Sequence, residues 1–72
     1  MKVTREEFQN MKEEIVKDMI VFRMEETGCS MQQALDEVYR SRLFEKLCDP
    51  ASGLYFQSSR YVYSYLQDEL RH

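Results

Sequence analysis

Seventy-two residues, 43% of them apolar and 32% charged, describe one small globular domain over residues 1–72 and exclude both a disordered tail and a membrane-embedded chain. A formal net charge of −3, with ten Lys and Arg dispersed among thirteen Asp and Glu, argues against nucleic acid, because phosphate neutralisation needs clustered cations. Cys29 and Cys48 lack CxxC neighbours, no signal-peptide pattern precedes them, and the apolar run over 19–24 is far shorter than the about 20 residues that cross a bilayer, so the expectation is a cytoplasmic protein with reduced thiols.

Thr4-Arg5-Glu6-Glu7 reads as a capping box that opens a first helix, and Gly28 suits the left-handed position that closes it, predicting a helix over 4–27. Phe8, Met11, Ile15, Met19 and Phe22 recur at the 3–4 spacing of one helical face, which is the expected core face. Val16, Ile20 and Met24 form a second i,i+4 stripe about a quarter turn away, and Val21 lies on a third side. Two acids, Glu6 and Glu7, against one base, Arg5, in the first two turns suit the helix dipole. A chain of this size removes only about 60% of its unfolded-state surface on folding, so an apolar surplus is a natural means of self-association.

Ser30-Met31-Gln32-Gln33 is a second capping box, which predicts a tight helix–loop–helix corner and a second helix with Met31, Ala34, Leu35 and Val38 on its apolar face. Leu43 and Leu47 fall out of phase with that face, so the helix is expected to break near Arg40 to Arg42, with Ser41 capping a short third helix over 42–48. Asp49-Pro50-Ala51-Ser52-Gly53 concentrates the turn formers and marks the main loop. Leu54-Tyr55-Phe56 reads as a short extended aromatic strap across the bundle. Ser58 or Ser59 then caps a last helix over 60–70, with Val62, Tyr65 and Leu66 facing inward and Tyr61, Tyr63 and Leu70 at the edges. The fold class is therefore all-α, a bundle of three to four helices around a long central first helix.

Catalytic chemistry finds little purchase. His72 is the only histidine and is terminal, so it suits neither a metal site nor a general base. Cys29 precedes a helix amino end, where a thiol is acidified, but has no histidine to activate it, and Cys48 adjoins the negative charge of Asp49. The carboxylates of the first helix are spread around its circumference rather than gathered in a cleft, so they read as solvating charges and not as metal ligands or an acid–base pair. Ser58-Ser59 lacks the glycine-rich context of a phosphate loop. The chain is expected to be no enzyme and to hold no cofactor.

The run Ser30…Ala34-Leu35…Val38-Tyr39-x-Ser41…Leu47-x-Asp49…Ser52-Gly53-Leu54-Tyr55…Ser58…Tyr61-Val62-Tyr63…Leu66…Glu69 resembles a pattern in short uncharacterised bacterial proteins, some encoded beside toxin-like partners. Its most distinctive piece is Ser-Gly-Leu-Tyr followed by a Tyr-rich helix. The resemblance covers a little over half of the chain and implies a small helical accessory protein, with no catalytic residue to carry over.

Two function classes remain from the residues. The first is a non-enzymatic protein–protein interaction module, homodimeric through Val16, Ile20 and Met24 of the first helix together with Tyr55 and Tyr63, and in one version an antitoxin-like or regulatory protein that sequesters a partner. The second is a small-molecule or single-stranded nucleic-acid binder built on the aromatic segment, with Tyr55, Tyr61 and Tyr65 lining a pocket and Arg60 or Arg42 contacting an anion.

Overall fold

Twenty-three residues of uninterrupted helix, α1 (Arg5–Thr27), form the spine against which the second and last helices and the second 3-10 turn pack. In the computed structural model, which describes residues 3–71, α1 is followed by α2 (Met31–Arg40), α3 (Arg42–Leu47), two 3-10 turns (Pro50–Ser52 and Leu54–Phe56) and α4 (Ser59–Leu70). No strand occurs among the described residues, and the architecture is the expected all-α bundle around a long first helix.

Each boundary follows from local chemistry. At the start of α1 the Thr4 hydroxyl accepts from the Glu7 amide at 3.1 Å and the Thr4 amide donates to the Glu7 carboxylate at 3.2 Å, so two free helix-end donors are satisfied reciprocally. Gly28 ends the helix with φ 73°, a conformation that a Cβ would strain, and its N–H closes on the Met24 carbonyl. Ser30 and Gln33 repeat the reciprocal cap at 3.1 Å each way, and α2 folds back along the second half of α1.

Ser41 is the hinge between α2 and α3. Its hydroxyl donates to the Val38 carbonyl at 2.6 Å and accepts from the Phe44 amide at 3.1 Å, ending one helix and starting the next with a single side chain. It is buried, and no buried side-chain nitrogen or oxygen among the described residues lacks a hydrogen-bond partner. The predicted break at Arg40 to Arg42 is therefore present, and for the predicted reason.

The core draws on every helix and on the turn after Gly53. Met19, Val38, Leu47, Val62 and Leu66 are fully buried, with Phe8, Ile15, Val16, Leu43, Tyr55 and Tyr63 nearly so. Each large side chain removed from water contributes about 1.5–3 kcal/mol of transfer free energy, so these eleven residues supply the main folding force. Phe8 meets Tyr55 edge to face at 4.9 Å, pinning the second 3-10 turn to the amino-terminal half of α1. Farther along α1, Phe22 lies against the Tyr63 ring at 5.2 Å while the Arg60 guanidinium stands 3.9 Å from its centroid.

Three details depart from the sequence reading. Leu54–Phe56 is not extended: Gly53, at φ 73°, turns the chain back, and the amides of Phe56 and Gln57 close on the carbonyls of Gly53 and Leu54 as a 3-10 turn. On α4 the buried arc leans toward Tyr63, which is 2% exposed, and away from Tyr65, which is 46% exposed. The reason is tertiary, since α1 offers the Tyr63 ring a partner in Phe22 and its hydroxyl an acceptor in Glu26. Met31 and Leu35, at 61% and 36% exposure, are not core, because the arc of α2 that meets α1 is centred on Ala34 and Val38.

Candidate interaction surface

The five residues expected to form an interface separate into two groups. Val16, Tyr55 and Tyr63 are buried within the chain's own core, so none presents a side chain to a partner. Ile20 and Met24 remain half-buried on α1. The second stripe of α1 is thus largely wrapped by the domain itself, with α2 as the element that folds back along this half of the helix.

A different stripe is uncovered. Met31, Leu35 and Tyr39 stand at i, i+4 and i+8 on α2, at 61%, 36% and 49% exposure. The Tyr39 ring meets Phe44 of α3 edge to face at 4.7 Å, which extends the apolar band past the Ser41 hinge. With side chains of roughly 200 Å² about half exposed, the three α2 residues present on the order of 300 Å² of apolar surface, within the size range of functional patches on small proteins. The chain as a whole exposes 5196 Å². A folded monomer of its mass is expected to expose roughly 4,700 Å², so there is surface to spare.

A polar network ties the helix that bears this stripe to α1. Arg23, on the α1 face toward α2 and α4, donates two hydrogen bonds to the Glu37 carboxylate at 3.2 and 3.0 Å, and its side chain is only 12% exposed. Glu26, 3.9 Å from the same guanidinium, accepts from the Tyr63 hydroxyl at 3.2 Å and from the Gln67 amide at 2.6 Å. One network therefore ties α2 to α1 and α1 to α4. Burial alone works against the charge on Arg23, but the bonds to Glu37 and the contact with Tyr63 outweigh it and raise its pKa. Burial also raises the pKa of the Tyr63 phenol, with Arg23 partly opposing the shift. Arg23 falls inside the apolar run over 19–24, and its partner lies fourteen residues away, so no local pattern joins the two.

The aromatic pocket expected from Tyr55, Tyr61 and Tyr65 does not assemble. Tyr55 is buried against Phe8, while Tyr61 and Tyr65 stand exposed on α4, their rings edge to face at 5.3 Å and their hydroxyls 2.8 Å apart. That hydrogen bond raises the pKa of Tyr61. Arg60 is committed to the Phe22 ring. Tyr65 and Arg42, by contrast, line one cleft, between α3 and α4.

The cysteines stay apart in role. Cys29 sits in the α1–α2 corner with its sulfur 3.8 Å from the Arg23 carbonyl, and Cys48 has the Lys12 ammonium 3.9 Å from its sulfur. Both are free thiols. No group of three or more His, Cys, Asp or Glu among the described residues is arranged to hold a metal ion, and His72 lies outside the described residues. Among the described residues, no helix is long and apolar enough to cross a membrane.

No protein-family model, no curated protein and no solved structure matches the chain.

Proposed function

We propose that this protein is a non-enzymatic interaction module that self-associates through the exposed face of α2. The observation that carries the reading is the stripe Met31, Leu35 and Tyr39, an apolar band on a helix whose opposite flank is fixed by the Arg23–Glu37 pair. The stripe is symmetric about Leu35, with one large apolar residue four positions to each side. A two-fold axis at Leu35 with antiparallel helices sets Leu35 against its own copy and places each Met31 over the partner's Tyr39, a favourable sulfur–aromatic contact.

Area sets the strength. A stable dimer removes about 800 Å² from each partner, and the three α2 side chains supply less than half of that, so the association belongs to the weak, reversible class. An accessory or antitoxin-like protein of the kind implied by the sequence resemblance would use the same face for a different chain.

Sedimentation equilibrium tests the reading. A dimer is expected at tens of micromolar for the wild-type chain and a monomer of unchanged helicity for Leu35→Glu, since a charge at the symmetry axis meets its own copy. A wild-type chain that stays monomeric throughout that range, or a Leu35→Glu variant that still dimerises, rules out the α2 face as the site of self-association.

A further inference from the structure

A second feature is independent of the α2 face: the cleft between α3, the turn after Gly53 and α4. It is an open cleft with a volume of about 380 Å³, within the range of small-ligand sites. Leu43, Leu54 and the Tyr65 ring form its apolar walls, and Arg42 and Lys46, one helical turn apart on α3, stand at its edge. Neither cation makes an ion pair with a described residue. Glu69 also lines the cleft, but its two carboxylate oxygens are occupied by the amides of Arg42 and Leu43, at 2.9 and 3.0 Å.

The charge count of this cleft is informative. Two cations and one anion leave a single positive charge beside apolar walls. A dianionic phosphate would be only half neutralised and would face Glu69, whereas a monoanion balances the site. The guanidinium fork of Arg42 matches the two oxygens of a carboxylate, and the walls of Leu43, Leu54 and Tyr65 match a short apolar group attached to it.

We propose that the α3–α4 cleft binds a monocarboxylate carried on an apolar body, with Arg42 and Lys46 holding the carboxylate and Leu54 and Tyr65 the body. The same chemistry is presented by a free organic acid and by the carboxy-terminal residue of a peptide.

Amide chemical-shift titration of the full chain tests this with four probes: phenylacetate, inorganic phosphate, and a leucine-terminated hexapeptide with a free or an amidated carboxy terminus. Phenylacetate is expected to give saturable shifts at Leu43, Lys46, Leu54 and Tyr65 with a millimolar dissociation constant. Arg42→Gln should weaken it at least tenfold. Both cations are exposed, so Arg42→Gln and Lys46→Gln are expected to keep wild-type circular dichroism, and either one suffices for the test. Shifts from the free-acid peptide but not from its amide assign the carboxylate to a chain terminus, and shifts from phenylacetate alone assign it to a small molecule. Absence of saturable shifts with both phenylacetate and the free-acid peptide, equal binding of phosphate, or binding unchanged in both variants overturns the proposal.

Discussion

Two apolar stripes with the same i,i+4 spacing meet different fates in this molecule. Val16, Ile20 and Met24 on α1 are largely covered by the chain itself, whereas Met31, Leu35 and Tyr39 on α2 are left in the open. Spacing alone does not separate them. The difference is topological: the Gly28 corner folds α2 back along α1, so the surplus of the longer helix is buried at Val16 and half-covered at Ile20 and Met24, while that of the shorter helix becomes surface. In a bundle this small the helix that does the covering is itself covered on one side only.

The largest expected effect probes the covered stripe. Val16→Asp places a charge at a position 6% exposed, at a cost of about 4 kcal/mol or more. A domain of this length holds only about 4–11 kcal/mol in all, so loss of most of the far-ultraviolet helical signal at 37 °C is expected. Leu35→Glu, on the uncovered stripe, should leave that signal intact. If the two variants unfold alike, the contrast between the stripes fails.

Next in size is the network that orients α2. Arg23→Ala leaves Glu37 and Glu26 without their shared cation and is expected to lower stability by about 2 kcal/mol in chemical denaturation, less than for a fully buried pair because Glu37 is one-third exposed. The same variant should weaken self-association as α2 loosens. Smaller again is Glu69→Ala, which removes the acceptor from two amides of α3 and should cost about 1 kcal/mol, in the range of a lost helix cap. That variant leaves the α2 stripe untouched, so dimerisation is expected to persist.

Much of the fold was legible because its boundaries are local. Thr4 with Glu7, Ser30 with Gln33, Ser41, Asp49-Pro50 and Ser58 all act within three residues of themselves, and all occupy the positions that the pattern assigns them. What was not legible lies across the chain. The choice of Tyr63 over Tyr65 as the buried tyrosine depends on Phe22 and Glu26, thirty-seven or more residues earlier. Leu54–Phe56 alternates poorly enough to pass for a strap, and only the left-handed Gly53 reveals the turn. For the surface, the apolar residues of α2 were visible, but the side of the helix that α1 would meet was not. A signal was present in Tyr39, which prolongs the Met31–Leu35 spacing by one more turn without continuing the arc of Ala34 and Val38.

The bond from Glu69 to the amides of Arg42 and Leu43 has a consequence for the order of assembly. Six residues are too few for a helix to persist alone, since nucleation is unfavourable and isolated helices shorter than about 12–15 residues are marginal in water. The acceptor that completes the first turn of α3 arrives 26 and 27 residues later, on the last helix. Until Glu69 is in place the Arg42 and Leu43 amides lack these acceptors, so α3 is expected to complete its first turn only with α4 docked. Hydrogen exchange at the Arg42 and Leu43 amides is therefore expected to report the docking of α4 on α3, so the centre of the chain is secured from its last helix.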